Sequence, residues 1–345
     1  MKIAILTPTF SEFSGIDRVV ENEVKELSDK GNAITIFCFK ADMKTKYASV
    51  IEIGMPRNPT FERVYRLFFF LDFLKISRIV NSLKGFDKII CHQYPMTIIA
   101  SKARKKFGIH YTYYDAGVAY PELFQNFTER NYMKLFRYLT IKTVKNVDDA
   151  ISISEFLSDV LKKETGLESR VEYVEIDRNR FHKGVIGERI RKKYDLGNSP
   201  VCLYVGRISP HKGIHILIES FNIVLKEIPD AKLLIVGKKT FGDYSKKLED
   251  LAKKVNEKAI IFTDFVPDEE LPYFYGAADV YTTATLWEGF DMPIVEAEAC
   301  GKPSVAFDVG AHKEVLKKGA LIKSIDANLF ARGIIKLLSN KIKNS

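Results

Sequence analysis

The chain has 345 residues, of which 46% are hydrophobic, so it is globular in composition and too long for one ordinary core. Its four cysteines stand singly in apolar segments, which argues against a disulfide framework or a Cys-x-x-Cys zinc site. The formal net charge is +9, but no recognised nucleic-acid-binding motif accompanies it, so nucleic acid is not an expected partner.

Short apolar segments rich in β-branched residues alternate with amphipathic segments along the whole chain. This pattern predicts an α/β fold with parallel sheets whose strands are joined by right-handed helical crossovers. The predicted strands of the first half are Lys2–Leu6, Ala33–Phe39, Lys88–Cys91, His110–Tyr114 and Ala150–Ile153. The predicted strands of the second half are Val201–Val205, Lys232–Val236, Ile260–Phe262, Asp279–Thr283, Ser304–Phe307 and Leu321–Lys323.

Positive charge is concentrated in the first half. Between Arg57 and Val147 there are 16 Lys and Arg against 6 Asp and Glu, a local excess of +10. This excess indicates either a solvated basic face or a surface for anionic lipid or a phosphorylated acceptor. The apolar stretch Val64–Leu74 lies in this region, but Arg66 and Asp72 interrupt it, so it is too short to span a bilayer. It indicates either a core helix or an interfacial one.

The apolar periodicity fades between Asp177 and Pro200, where charged residues and glycines take over. We therefore place the domain boundary there, which gives a first domain of residues 1–180 and a second of residues 181–326. Residues 327–345 form a last helical segment.

A basic loop follows the predicted strand Val201–Val205. It reads G-R-I-S-P-H-K-G from Gly206 to Gly213 and leads into a predicted helix, Ile214–Glu227. Arg207 offers a planar fork of donors and Lys212 a compact charge. Both follow the carboxyl end of a strand, where open α/β sheets bind ligands. The alternative is an ordinary basic surface loop.

Two carboxylates with seven residues between them mark the segment Glu288–Glu296, which reads E-G-F-D-M-P-I-V-E. Glu288 falls on a strand-to-helix loop, and Glu296 falls inside a helix predicted at Ile294–Cys300. Free N–H groups at a helix N-terminus favour an anion, and carboxylates can bind hydroxyls. This combination suits a sugar phosphate, and the alternative is a pair of solvated surface carboxylates.

Together these segments resemble the family 4 (group 1) retaining glycosyltransferases of the GT-B fold. The likeness extends to Asp264–Val266, to Leu271–Asp279 and to D-V-G-A-H-K-E at Asp308–Glu314. The resemblance implies two Rossmann-like parallel-sheet domains facing each other across a cleft. The first would lie on the acceptor side, and the second would bind the nucleotide sugar. In many such proteins the last helical segment returns to the first domain. The sequence of residues 327–345 allows either that arrangement or packing on the second domain.

The resemblance also implies a nucleoside diphosphate sugar as donor, a hydroxyl acceptor and retention of anomeric configuration. Arg207 and Lys212 match the family's diphosphate-binding pair. Glu288 matches the residue that binds the hydroxyls of the donor sugar, and Glu296 matches the ribose-binding residue. The other donor contacts implied are Val266, Gly289, Phe290 and Asp291.

No metal and no cofactor are expected. An Asp-x-Asp motif is missing from the sequence, and the histidines show no ligand spacing. A fixed Arg and Lys with helix amides could neutralise a departing diphosphate in place of a metal ion.

The first half contributes weaker candidates. Gly15 matches the second position of the family's glycine pair, whose backbone approaches the phosphate, and Ser14 replaces the first. His92 matches a family histidine near the cleft, although a lone histidine after a strand is more often structural. Tyr114 stands where the family has histidine, so Tyr114 or Asp115 takes over the usual hydrogen bond to the donor sugar, or the donor differs.

Two other functions compete with this interpretation. A sugar-nucleotide epimerase could share the fold, and a non-catalytic basic protein could bind anionic lipid. The acceptor of a transferase would be a glycan, a glycolipid or a lipid-linked sugar. Because Met1 and Lys2 lead straight into a strand without a signal-peptide pattern, we expect a cytoplasmic protein. Peripheral attachment to the inner face of the membrane is left open.

Overall fold

The computed structural model of the protein describes residues 1–11, 15–124, 126–239 and 242–344. The chain divides into two compact units, Met1–Val174 and Glu175–Ser345. The boundary lies a few residues before the predicted one at 180/181, in the same stretch of weak apolar periodicity. Ser14, one position of the predicted glycine pair, lies outside the described residues.

The first unit alternates strands and helices. Its strands are β1 (Lys2–Leu6), β2 (Thr9–Phe10), β3 (Ala33–Cys38), β4 (Lys40–Ala41), β5 (Ser49–Glu52), β6 (Lys88–Cys91), β7 (His110–Asp115), β8 (Asp149–Ser152) and β9 (Arg170–Val171). Its helices are α1 (Gly15–Asp29), α2 (Pro59–Leu67), α3 (Phe73–Ser82), α4 (Met96–Phe107), α5 (Phe127–Val144) and α6 (Glu155–Thr165).

The main sheet of this unit is parallel, in the order β5-β3-β1-β6-β7-β8-β9. The strands run outward from β1 in one direction and from β6 in the other. The point between β1 and β6 is therefore a topological switch point, where doubly wound sheets bind ligands at the carboxyl ends of their strands. His92 is the first residue after β6.

The second unit repeats this plan. Its strands are β10 (Val201–Val205), β11 (Lys232–Val236), β12 (Ile260–Asp264), β13 (Val280–Thr283), β14 (Ser304–Phe307) and β15 (Gly319–Ile322). Its helices are α7 (Glu188–Lys193), α8 (Ile214–Glu227), α9 (Gly242–Asn256), α10 (Leu271–Ala277), α11 (Met292–Ala299), α12 (His312–Val315) and α13 (Ala327–Asn344). The parallel sheet has the order β12-β11-β10-β13-β14-β15, so its switch point lies between β10 and β13.

Local sequence explains the elements that carry this switch point. Every residue of β10 is buried, as expected for a parallel strand covered by helices on both faces. Helix α8 buries residues at helical spacing against this sheet, including Leu217, Phe221 and Val224. Pro293 falls in the first turn of α11, where its missing N–H costs nothing.

Each predicted strand is present to within one or two residues at either end. The sequence missed β2, β4, β5 and β9, because these strands have two to four residues and lack a continuous apolar run. The apolar stretch at 64–74 is broken: α2 ends at Leu67, a 3-10 turn spans Phe69–Leu71, and α3 begins at Phe73. Among the described helices, none has the length and apolar character needed to cross a membrane.

The last helix, α13, packs on α8 and on the strands β14 and β15 of the second unit. Its buried residues join the core of that unit: Phe330, Ala331, Ile334 and Leu338. Its contacts therefore place α13 in the core of the second unit.

Candidate active site

Two loops meet at the switch point of the second unit. One joins β10 to α8 and carries Arg207 and Lys212. The other joins β13 to α11 and carries Glu288. The backbone N–H of Leu286 donates to the carbonyl of His211 (2.8 Å), and the Thr285 hydroxyl donates to the same carbonyl (3.2 Å). The two loops therefore have a fixed register.

Gly213 allows the two loops to approach this closely. It adopts the left-handed conformation (φ 63°) at the start of α8. A Cβ atom at this position would lie 1.9 Å from the carbonyl oxygen of Ala284. Only glycine fits here without a backbone shift.

Lys212 and Glu288 form an ion pair between the two loops. Each side chain is 17% exposed, so the pair borders solvent without being freely hydrated. Arg207 is exposed in the same loop as Lys212. Burial and the nearby Lys212 and Arg207 charges lower the pKa of His211 to about 3, so this imidazole is neutral. The site thus presents two cations and one carboxylate.

The loop 288–291 leads into α11. Gly289 and Phe290 are buried, and Asp291 starts the helix in the left-handed conformation (φ 71°). The carbonyl of Glu288 accepts a hydrogen bond from the backbone N–H of Ala311 (3.1 Å). Residues 289–291 therefore connect Glu288 of the ion pair directly to the first turn of α11.

Glu296 lies in α11 as predicted, and it is nearly inaccessible (1% exposed). Its carboxylate accepts a hydrogen bond from the hydroxyl of Tyr275 (2.6 Å). Val266 is buried in the loop after β12, at the carboxyl edge of the same sheet. Within the described ranges, no three His, Cys, Asp or Glu side chains are grouped so as to hold a metal ion.

At the switch point of the first unit, His92 is completely buried. Its Nε2 lies 2.8 Å from a carboxylate oxygen of Glu23, and its ring lies 4.8 Å from the ring of Tyr114. Asp115 ends β7 and accepts hydrogen bonds from the Tyr113 hydroxyl and the Gly117 N–H. Burial raises the pKa of Asp115 to about 6.

Helix α1 begins at Gly15, close to a buried carboxylate that the sequence did not single out. Asp17 is 1% exposed and accepts hydrogen bonds from the Ser11 N–H (3.0 Å) and the Ser11 hydroxyl (2.7 Å). Burial raises its pKa to about 6. Local spacing gave no signal, because an Asp in the first turn of a helix is common on solvated surfaces.

The structure brings Arg207, Lys212, Glu288 and the loop 289–291 together in the second unit, with Glu296 and Val266 in the same unit. Of the candidates in the first unit, His92 follows β6, Asp115 ends β7, and Gly15 begins α1. Sequence reasoning also missed His312, whose ring contacts Asp291. No local motif could reveal this contact, because the two residues lie 21 positions apart.

Two family models match the chain. The model described as glycosyl transferases group 1 matches residues 187–345, and the model described as glycosyltransferase family 4 matches residues 13–175. Together they cover nearly the whole chain.

Two curated relatives match over part of their length. The putative glycosyltransferase YtcC of Bacillus subtilis (strain 168) is 32% identical over 219 residues, 58% of this chain and 54% of that protein. A GDP-mannose-dependent alpha-(1-6)-phosphatidylinositol monomannoside mannosyltransferase of Mycolicibacterium smegmatis (strain ATCC 700084 / mc(2)155) is 31% identical over 163 residues, 44% of this chain and 42% of that protein. The chain thus spans about half the length of these relatives.

Among solved structures, Anabaena Alr3699/HepE in complex with UDP and glucose has a TM-score of 0.80 at 20% identity, over 99% of this chain and 91% of that one. At this identity the likeness concerns the fold, and it confirms the predicted GT-B fold with two Rossmann-like units. The two family models, which together match nearly the whole chain, show that this chain belongs to the group 1 (family 4) glycosyltransferases.

Proposed function

We propose that the chain is a retaining, metal-independent glycosyltransferase, which moves a sugar from a nucleoside diphosphate sugar to a hydroxyl acceptor. The observation that carries this proposal is the Lys212–Glu288 ion pair at the switch point of the second unit, with Arg207 exposed in the same loop as Lys212. Cations suit a diphosphate and a carboxylate suits sugar hydroxyls. The pair therefore combines both requirements of the donor.

Each group has a distinct role in this proposal. Arg207, Lys212 and the amides of the loop 289–291 neutralise the diphosphate as it departs, a role that needs no metal ion. When the phosphate binds Lys212, the Glu288 carboxylate is released to accept hydrogen bonds from the sugar. Glu296 accepts a hydrogen bond from a ribose hydroxyl, while Val266 lies at the nucleobase.

Retention requires the acceptor oxygen to attack from the face that the phosphate leaves. The bond between the anomeric carbon and the phosphate oxygen breaks, the bond to the acceptor oxygen forms, and the departing phosphate oxygen takes the acceptor proton. His92 and Asp115 are the candidates on the first unit for orienting the acceptor or the sugar. The elevated pKa of Asp115 suits a group that exchanges a proton with a hydroxyl.

The named relatives suggest which donors to test first. One depends on GDP-mannose, and the similar solved structure holds UDP and glucose. A thermal-shift screen of UDP, GDP and ADP finds the nucleotide, because a ligand that binds only the folded protein raises its melting temperature. Incubation with the matching donor alone distinguishes a transferase from a sugar-nucleotide epimerase. Rapid epimer formation without an acceptor would identify an epimerase and contradict the proposed transferase.

The two carboxylates should respond differently to substitution. We expect Glu296→Ala to weaken binding of the free nucleoside diphosphate, whereas Glu288→Ala mainly lowers turnover of the full donor. Each lost hydrogen bond to a neutral hydroxyl costs about 0.5–1.5 kcal/mol, and more if its partner stays buried. Calorimetric nucleotide titration and steady-state kinetics measure the two effects.

Tyr275→Phe provides the matched control for Glu296. It removes the hydroxyl that bonds Glu296 but keeps the carboxylate, so it reports the structural part of the Glu296→Ala effect. Equal losses of free-nucleotide affinity in Glu288→Ala and Glu296→Ala would overturn the assignment of Glu288 to the donor sugar and of Glu296 to the ribose.

We also propose that the acceptor is presented at an anionic membrane, to which the protein binds peripherally from the cytoplasmic side. Large apolar side chains are exposed along α2, the following 3-10 turn and α3, and Leu74 reaches 85% exposure. This apolar surface consists of Phe61, Val64, Phe68, Leu71, Phe73 and Leu74. This number of exposed apolar residues between Phe61 and Leu74 is typical of an interaction site.

Basic residues surround the apolar surface. Arg63 and Arg78 are exposed on α2 and α3, and the ammonium of Lys102 lies 5.8 Å from the ring of Phe73. Cations beside exposed aromatic rings match a bilayer, where the rings enter the interface and the cations meet anionic headgroups. Each such cation contributes about 1 kcal/mol near an anionic surface. This charge pattern favours a lipid-linked or glycolipid acceptor over a soluble one.

We expect the protein to co-sediment with anionic vesicles at low salt and to do so less with neutral vesicles. Phe73→Ser with Leu74→Ser should reduce this binding strongly, because it removes the most exposed part of the apolar surface. Ile186→Ser is the matched control, since Ile186 is 73% exposed on the second unit. Equal, negligible binding to both kinds of vesicle would remove the membrane proposal and leave the transferase intact.

A further inference from the structure

We propose that His312 is a positioning residue that holds the donor-binding loop 288–291 through Asp291, and that this link requires a proton. The inference rests on the proposed function, because it gives the loop its role in binding the nucleotide sugar. It concerns a side chain in α12, outside the two loops that carry the proposed donor contacts.

The imidazole of His312 bridges two elements. It is completely buried. Its Nδ1 lies 2.7 Å from the carbonyl oxygen of Phe307 at the end of β14, and its Nε2 lies 3.0 Å from a carboxylate oxygen of Asp291. Asp291 begins α11 in the left-handed conformation and makes no side-chain capping bond with its own helix. Its carboxylate is thus held by His312 from outside the helix.

The same segment also holds the other end of the loop. The backbone N–H of Ala311 donates to the carbonyl of Glu288 (3.1 Å). A Cβ atom on Gly310 would lie 2.0 Å from this carbonyl oxygen, so the two backbones are in close contact. Residues 310–312 therefore fix both Glu288 and Asp291, and the amides of Gly289 and Phe290 lie between these two points.

The two ring contacts define a proton requirement. A carbonyl oxygen only accepts, so Nδ1 carries a proton and donates to Phe307. The contact between Nε2 and Asp291 then needs a second proton, which lies on the ring or on the carboxyl group. Without it, a nitrogen lone pair faces a carboxylate, the contact becomes repulsive, and a net negative charge remains beneath the loop.

The surrounding groups favour the protonated pair. Burial lowers the pKa of His312, but its bonds to Asp291 and Phe307, with the charge of Glu288, raise it above the usual value. Lys212 pairs with Glu288. Tyr204 on β10 and Tyr281 on β13 lie within electrostatic range of both carboxylates, and their hydroxyls donate to the carbonyls of Arg207 and Val205. Burial keeps their pKa far above the usual value, so they stay neutral.

Because the folded-state pKa is raised, the link is complete at low pH and is lost as the pH rises through that pKa. The lost proton leaves negative charge next to the proposed diphosphate subsite. Donor affinity should therefore fall on the alkaline side. This decline should reflect the loss of the proton shared by His312 and Asp291.

The experiment measures donor KM, acceptor KM, kcat and nucleoside diphosphate affinity for the full chain and three variants. We expect His312→Ala to raise the donor KM and the nucleotide Kd on the order of 10-fold to 100-fold, because small displacements of binding groups have effects of this size. The acceptor KM should change little. Leu338→Ala is the control: Leu338 is buried in α13, so its loss lowers the melting temperature without a specific effect on the donor.

The pH profile supplies a readout that a purely structural role would not change. In the parent we expect donor affinity to fall on the alkaline side of the usual histidine range, because the raised pKa of His312 is where the pair loses its proton. The decline should be absent in His312→Ala. It should also flatten in Asp291→Asn, because an amide N–H can donate to neutral Nε2 while Nδ1 still donates to Phe307.

The outcomes separate this inference from the proposed function. If the parent binds no nucleoside diphosphate and transfers no sugar, the proposed function is wrong and the inference falls with it. If the parent binds nucleotide and His312→Ala binds it equally well, only the positioning role is wrong. An alkaline decline that is missing from the parent, or that runs in parallel in parent and variant, contradicts the protonated link.

Discussion

Lys212→Ala should lower kcat/KM by about 100-fold or more, which is the usual loss for one preorganised group that stabilises developing charge. The effect should exceed that of Arg207→Ala, although both remove one cation. Lys212 is paired with Glu288, so its loss also leaves a carboxylate unpaired where the diphosphate is proposed to bind. Steady-state kinetics with saturating acceptor measure both losses.

Two comparisons sharpen this result. Lys226→Ala removes the same charge from the exposed far end of α8 and should leave kcat/KM near the parent value. In the double variant Lys212→Ala with Glu288→Ala, the unpaired carboxylate is gone, so the two losses should be less than additive. Activity of the parent should withstand EDTA. Complete loss in EDTA with recovery on adding magnesium or manganese would show that the metal-independent mechanism is wrong.

Gly213→Ala should destabilise the second unit by about 3 kcal/mol, because it combines an unfavourable backbone conformation with a steric overlap. The overlap is severe, since the new Cβ would lie 1.9 Å from the Ala284 carbonyl. Gly213 follows Lys212 directly, so the shift that relieves the overlap also moves the ion pair. We therefore expect most of the activity to be lost. Urea unfolding followed by far-ultraviolet circular dichroism measures the stability.

Gly197→Ala separates the cost of the backbone conformation from the cost of the steric overlap. Gly197 also has a positive φ (49°) in the second unit, but a Cβ there would meet no atom within 4 Å. This control should therefore cost only about 1 kcal/mol, the typical penalty for a left-handed alanine. Similar losses in both variants would mean that the two loops separate easily and that their close approach does not define the site.

The sequence predicted those parts of the molecule that local patterns determine. Strand, loop and helix follow one another within about twenty residues around Gly206 and again around Glu288, so periodicity alone placed the loops at strand ends. Parallel pairing then required the loops of neighbouring strands to share one edge of the sheet. The ion pair between Lys212 and Glu288 is a consequence of this topology.

Other features depend on contacts between distant residues, which local patterns do not encode. The link between Asp291 and His312 joins two elements through a buried side chain. The burial of Asp17 depends on Ser11 of the preceding loop. The break after Leu67 places Phe69 in the core and leaves Phe73 exposed, although the sequence around both residues is equally apolar.

The position of α13 has a consequence for the order in which the two units mature during synthesis. The first unit has all of its strands and helices available once Val174 has emerged from the ribosome, so its core can close while the rest of the chain is still being made. The second unit cannot do so, because α13 supplies core residues that cover β14 and α8 and is translated after every other element of that unit. The loop that carries Lys212 lies directly before α8. A nascent chain therefore passes through a stage in which one unit is folded and the other still exposes apolar surface, and this stage is where chaperones would have most to bind.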